Sequence, residues 1–211
     1  MVKKTIVLLV LFSMSLHAQD STRFRYHSLL KASATITPGY LLNRQQTNIY
    51  INGFLEYFPE NKVSLRGESF VMVGAQQAPA LLNQNSCLLF GAAYHFHKNR
   101  FDYFIGLETG AALTKPNDTE QTVPSSLTDP AMPLGTNITV TYTTSYAYKI
   151  LPVIAPVTGI TFHASNYFNF FLNVHYIKAR YFGYQYGKTL LLDELRISAG
   201  LGFSIHLKKK T

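Results

Sequence analysis

Histidine, serine, carboxylate and guanidinium groups are the side chains in this sequence that could do chemistry, and their spacing tests several kinds of it. His95 and His97 stand two apart, with His206 near the C-terminus. On a strand the first two point the same way, which could begin a metal site. No third ligand follows from the spacing, and histidines near strand ends are more often satisfied by hydrogen bonds, so no metal is assigned. His175 with Ser198 or Ser204 offers a hydrolytic pair. Such a pair needs contact distance and an orienting partner, and the register that would supply them is open. The patterns Gly-x-Ser-x-Gly and His-Glu-x-x-His and the phosphate-binding loop do not occur, so no catalytic residue and no cofactor is assigned. There remains a set of opposite charges and amides: Glu56, Arg66, Glu68, Glu108 and Arg196, with Asn52, Asn169, Asn173 and His175 among them. These groups are suited to pairing with one another away from water.

The elements that must position them alternate with period two, the signature of strands with unlike faces. From Leu195 to Leu207 one face reads Leu195, Ile197, Ala199, Leu201, Phe203, Ile205 and Leu207, and the other Arg196, Ser198, Gly200, Gly202, Ser204 and His206. Segments 63–73, 168–178, 49–57 and, less cleanly, 101–111 repeat the pattern. The runs predict eight strands, at roughly 31–41, 48–58, 62–73, 88–97, 101–112, 147–162, 167–179 and 194–207. Tight turns at 59–61, 98–100 and 163–166 alternate with longer connections at about 42–47, 74–87, 113–146 and 180–193. The third long connection is rich in Pro, Thr, Ser and Asn, the composition of a surface loop. The segment Ile150–Val157 is apolar on both faces and carries Pro152 and Pro156, each without a ladder donor. It predicts a tolerated imperfection in the wall; the alternative is a lateral opening for an acyl chain.

A short/long rhythm on an even number of strands is that of a transmembrane barrel with short periplasmic turns and longer external loops. Closure removes the sheet edges that lipid cannot tolerate. Aromatic residues gather at both strand ends: Tyr57, Phe58, Tyr94, Phe96, Phe101, Tyr103, Phe162, Tyr167 and Phe168 near the tight turns, and Tyr40, Tyr146, Tyr148, Tyr176 and Tyr181 opposite. With apolar faces toward lipid, a lumen polar network of Glu56, Arg66, Glu68, Glu108, Asn169, Asn173, His175 and Arg196 is expected. Asp102, His95 and His206 would lie inward near the periplasmic end, and Lys149 at the external end. An eight-stranded barrel is just wide enough to be filled by side chains, so a plug is expected rather than an open pore.

Composition agrees. The chain has 211 residues, of which only 14% are charged, with 15 Phe, 14 Tyr and no Trp. This excludes a disordered chain, a coiled coil and a disulfide-built module. Met1-Val2-Lys3-Lys4, an apolar run over Ile6–Phe12 and Ala18 before Gln19-Asp20 form the layout of a secretory signal peptide. Residues 1–18 are therefore expected to be removed, leaving a single barrel domain over 19–211. The remaining excess of Lys and Arg over Asp and Glu suits an anionic lipid surface, whereas export and the lack of a basic stripe argue against nucleic acid. Cys87 has no intramolecular partner.

With this signal segment, the alternating strands and the Gly-rich final strand Ile197–Phe203, the chain resembles the small outer-membrane β-barrel proteins of Gram-negative bacteria. The comparison is with the OmpA/OmpX-like superfamily, in the outer-membrane β-barrel domain form frequent among Bacteroidetes. Members of that group end in an aromatic residue, whereas here the final strand finishes Phe203-Ser204-Ile205-His206-Leu207 and four further residues follow. The resemblance implies an all-β, eight-stranded antiparallel up-and-down transmembrane barrel in the bacterial outer membrane, with both termini periplasmic. It also implies a monomer that contacts outer-membrane lipid and lipopolysaccharide, and a surface or envelope protein through its external loops. The role expected is non-enzymatic: structural, adhesive or surface-interacting. The alternatives are a lipid A-modifying acylase or deacylase, a secretion-system accessory, and a soluble lipocalin-like carrier.

Overall fold

A computed structural model describes residues 26–42, 45–76, 82–117, 119–125, 138–144, 147–180 and 191–207. The residues expected to form the signal segment, the terminal lysines, Tyr146 and Tyr181 lie outside the described residues. The chain is all-β: β1 (Leu29–Leu41), β2 (Gln46–Tyr57), β3 (Val63–Ala75), β4 (Leu82–Lys98), β5 (Phe101–Pro116), β6 (Thr119–Ser125), β7 (Ile138–Thr144), β8 (Lys149–His163), β9 (Phe168–Arg180) and β10 (Leu191–His206). Eight of these close an antiparallel barrel in the order β1-β10-β9-β8-β5-β4-β3-β2, a meander in which the first strand meets the last. The other two, β6 and β7, pair only with each other. They form a hairpin inside the connection that the sequence predicts as plain surface loop. Pro124 and the many Thr residues around it read as loop composition, but Thr and Val also suit strands.

Burial follows the period of two. Along β2, Tyr50, Asn52, Phe54 and Glu56 are buried, while Ile51 and Leu55 are more than half exposed. The same division holds along β3, β5, β9 and β10, where Leu65, Ile105, Phe170 and Phe203 face out and Arg66, Phe104, Asn169 and Ser204 face in. An exposed wall of Leu, Ile, Val, Phe and Tyr cannot be a water-facing surface of this extent. A closed sheet with that wall is built to sit in hydrocarbon. A soluble carrier has the opposite arrangement. Tyr94, Phe96, Phe101, Tyr103, Tyr167 and Phe168 are exposed around the short turns, with Tyr40 and Tyr148 at the other end. Phe58 departs from the predicted girdle: it is fully buried and turns into the barrel mouth.

Closure between β1 and β10 is paired at both ends, Leu29–Ser33 and Gly39–Leu41. Between them Thr35 Oγ1 donates to the Ala199 carbonyl at 2.7 Å, so a side chain supports the seam where ladder pairs lapse. Pro152 and Pro156 are accommodated without a shift. Pairing with β5 runs unbroken from Phe162 to Lys149. On the β9 side pairing begins at Val153–Ala179, so Pro152 has no partner there, and it lapses at Ala155 and Pro156 between Ile154–Lys178 and Val157–His175. Both prolines thus sit at gaps of the β9-side ladder, while the β5 side stays regular.

A closed barrel in which every strand is paired on both sides should resist detergent unfolding at room temperature. Unboiled protein is expected to migrate ahead of boiled protein on a dodecyl sulfate gel. Substituting Leu172→Arg, on the lipid-facing side of β9, should destabilise the protein in bilayers by about 2–4 kcal/mol. Equal mobility, or an Arg variant as stable as the parent, would contradict the membrane wall.

Candidate functional site

The polar side chains of the interior form three layers, each built around one cation. At the end carrying the short turns, Lys31 of β1 lies 2.8 Å from Asp102 Oδ2 of β5 and 3.8 Å from Glu56 Oε2 of β2. In the middle, Arg66 of β3 contacts Glu68 Oε2 at 3.0 Å and Glu108 Oε1 of β5 at 3.2 Å. Toward the long loops, Arg196 of β10 binds Glu194 Oε2 through Nη2 at 2.6 Å and Nε at 2.9 Å. All three cations are nearly inaccessible. Each also rests on aromatic faces: Lys31 on Phe58 at 4.6 Å, Arg66 on Phe54 at 4.1 Å, and Arg196 on Tyr50 at 4.0 Å and Phe70 at 4.6 Å. An aromatic face attracts a cation strongly only when water is gone, so the rings and carboxylates act together.

Neutral donors and acceptors complete each layer. Asn52 donates to Glu68 Oε1 at 2.7 Å, and His175 Nε2 lies 2.9 Å from Glu68 Oε2. Asn173, with its amide oxygen turned toward Arg66, accepts from Nη2 at 2.9 Å. Near Arg196, Tyr50 donates to Glu194 Oε1 at 2.7 Å and Asn48 donates to the same oxygen at 3.2 Å. Gly39 makes this possible, since a Cβ there would stand 2.5 Å from Glu194 Oε1. Asn169 lies apart from the three layers and donates to Ser204 at 2.8 Å.

Of the network residues named from sequence, the structure brings Arg66, Glu68, Glu108, Asn173 and His175 together. It places Glu56 one layer toward the short turns and Arg196 one layer toward the long loops. Asp102 and His95 join Glu56, but His206 is exposed at the rim, beyond the last closed turn of the interior. Lys31, Glu194, Ser64 and Tyr50 were not singled out, although all are interior. Lys31 opens a strand whose inward face otherwise reads Ser33, Thr35 and Thr37, so its charge stands alone in the pattern. Glu194 has the same parity as Arg196 and was legible from that alone.

The cluster near Lys31 contains a chain with the outline of a hydrolytic triad, drawn from residues other than His175, Ser198 and Ser204. Ser64 Oγ is 2.8 Å from His95 Nε2, and His95 Nδ1 is 2.9 Å from Asp102 Oδ1. Activation of a serine requires an unprotonated imidazole nitrogen to receive its proton. Here Ser64 Oγ donates to Glu56 Oε1 at 2.8 Å. With its single proton on Glu56, Ser64 has none to give His95. The proton lies on the wrong partner for nucleophilic attack, and Ser64 is fully buried. The chain is a charge-balancing bridge between two carboxylates.

Glu68, Glu108 and His175 have ligand atoms within 4.8 Å of one another, the makings of a metal site. Arg66 already supplies the positive charge at their centre. Among the described buried side chains, Lys31, Arg66 and Arg196 face five carboxylates, Glu56, Glu68, Asp102, Glu108 and Glu194. His95 lies against Glu56 and Asp102, and His175 against Glu68. Glu108 is the least supported group, because neither carboxylate oxygen accepts a hydrogen bond.

Both ends of the interior are closed by packing. Toward the long loops, Leu41, Leu82, Leu89, Leu151, Val153, Ile177 and Leu192 form a buried apolar cluster with Tyr50 and Phe70. At the other mouth the chain before β1 folds across the opening. Ser28 N donates to Phe58 O at 2.9 Å, and Tyr26 stacks on His97 with ring centroids 3.5 Å apart. Burial, and secondarily the Asp102 charge, push the Tyr26 phenol well above its usual range, so it stays neutral.

Neither a protein-family model nor a curated protein matches this chain. Solved structures do. The chain is similar in fold to neisserial surface protein A. The match has a TM-score of 0.54 at 10% identity and covers 85% of this chain and 96% of that one. Two further likenesses are the outer membrane protein OprG of Pseudomonas aeruginosa (TM-score 0.49, 12% identity, 87% and 98% covered) and the attachment invasion locus protein Ail of Yersinia pestis (TM-score 0.48, 11% identity, 85% and 99% covered). At such identities the likeness is one of fold.

Removing a partner from a buried charge cluster leaves the other charge uncompensated. Arg66→Met should therefore lower stability by about 3–5 kcal/mol in urea titrations of vesicle-inserted protein. Glu108→Gln, which removes a carboxylate that accepts no hydrogen bond, should cost less than 1 kcal/mol or stabilise. The reverse order would show that Arg66 is not the centre of its layer.

Proposed function

We propose that the protein is a monomeric outer-membrane barrel whose membrane domain is a closed anchor. Its working surface is then the set of long external loops, with a structural, adhesive or surface-interacting role. The observation that carries this reading is the filled interior: three cation-centred layers, an apolar cap toward the long loops and an aromatic cap at the other mouth. A barrel built to conduct would leave the interior wet and wide. In this reading residues 1–18 are the export signal and 19–211 the barrel. The short turns and both termini face the periplasm, and the β6–β7 hairpin projects from the cell. The lumen polar network of Glu56, Arg66, Glu68, Glu108, Asn169, Asn173, His175 and Arg196 serves as structural filling. Enzymatic and secretion-accessory readings gain no supporting observation.

Reconstituted protein should show no discrete single-channel steps in planar bilayers, and an epitope inserted between β6 and β7 should bind antibody on intact cells. Stable channel openings would overturn the closed anchor. Labelling only after permeabilisation would overturn the orientation.

A further inference from the structure

We propose that the middle layer of the interior holds one divalent transition-metal ion of the zinc type, between Glu68 Oε2, Glu108 Oε2 and His175 Nε2. The site goes beyond the anchor role and depends on the closed interior rather than on the external loops. The three ligand atoms lie within 4.8 Å of one another, and all three side chains are buried. His175 Nε2 is 2.9 Å from Glu68 Oε2 and 3.8 Å from Glu108 Oε2. Two ligands held about 2.0–2.1 Å from one tetrahedral ion stand roughly 3.4 Å apart, so small side-chain shifts bring this set onto an ion. Independently of the spacing, Glu108 points to a missing partner. It is 1% exposed, and neither of its oxygens accepts a hydrogen bond. Its ladder neighbours, Gly91 on β4 and Ala155 on β8, carry no side-chain donor. Arg66 Nε approaches Glu108 Oε1 at 3.2 Å, but the same guanidinium also serves Glu68. Oε2 is left on the His175 side.

Charge and donor type select the ion. Among the described residues, three buried cations face five buried carboxylates, so with neutral histidines the interior lacks two positive charges. An uncompensated carboxylate is costly in a dry interior, and one divalent ion closes the deficit. Calcium and magnesium prefer shells made of oxygen alone. An imidazole beside two carboxylates suits zinc and its first-row neighbours instead. The ligands come from β3, β5 and β9, no two of which are paired in the sheet. The ion therefore ties together, across the lumen, strands that the ladder does not join. The apolar cap toward the long loops and the aromatic cap at the other mouth enclose the layer. Loading accordingly accompanies folding, and the ion is retained once the barrel has closed.

The test folds the full chain from urea into detergent micelles in the presence of zinc, with folding verified by the gel shift. The folded protein is then treated with EDTA and desalted, and its metal is counted by inductively coupled plasma mass spectrometry. Wild type should keep about one zinc per chain. Glu108→Gln removes a carboxylate that accepts no hydrogen bond in the metal-free barrel, so the variant should fold. Its retained zinc should fall at least about ten-fold, the loss that removing even an outer partner of a metal ligand can cause. Cobalt loaded in the same way should give visible ligand-field bands in wild type that vanish in Glu108→Gln. His206→Asn, at the exposed rim, should keep zinc as wild type does. Folded wild type that holds no zinc after chelation, undiminished zinc in Glu108→Gln, or an equal loss in His206→Asn would overturn the site.

Discussion

Three cations that cannot reach water set the terms for the rest of this barrel. A charge moved into a dry interior loses hydration worth far more than any single ion pair returns. Lys31, Arg66 and Arg196 therefore each require carboxylates, amide or hydroxyl partners and aromatic faces at once. Those partners come from different strands: Lys31 on β1 needs Asp102 on β5 and Glu56 on β2, and the Arg66–Glu68 pair of β3 takes Asn173 and His175 from β9. The clusters form only if the sheet closes in this register. A slip of one residue along any strand would carry its charges into lipid and its leucines inward. The buried charges thus discriminate against wrong closures even where they add little net stability.

This explains what could be read without coordinates. A face is a local property, since parity along one strand decides it. The alternation around Glu56, Arg66, Glu68, Glu108 and Arg196 accordingly shows which way they point. Partnership is not local. Ser64, His95 and Asp102 lie on β3, β4 and β5, and their contacts depend on the stagger between strands, which no single run contains. The candidate pair of His175 with Ser198 or Ser204 missed for this reason. His175 turns instead to Glu68, and Ser204 to Asn169.

The remaining departures arise at ends, where alternation loses its hold. Phe58 sits one residue past β2 and follows the chain into the mouth rather than the aromatic belt. His206 has inward parity but is exposed at the end of β10. The β6–β7 hairpin pairs with itself and joins no strand of the closed sheet.

A filled interior also constrains where function can reside. The apolar cluster of Leu41, Leu151, Ile177 and Leu192 separates the Arg196 layer from the long-loop side, and Tyr26 with Phe58 separates the Lys31 layer from the other. Opening a path would mean unpacking one of these caps and then stripping partners from a cation, each step carrying the desolvation penalty that the layers exist to offset. Rims and loops carry no such penalty. Side chains there can change partner freely.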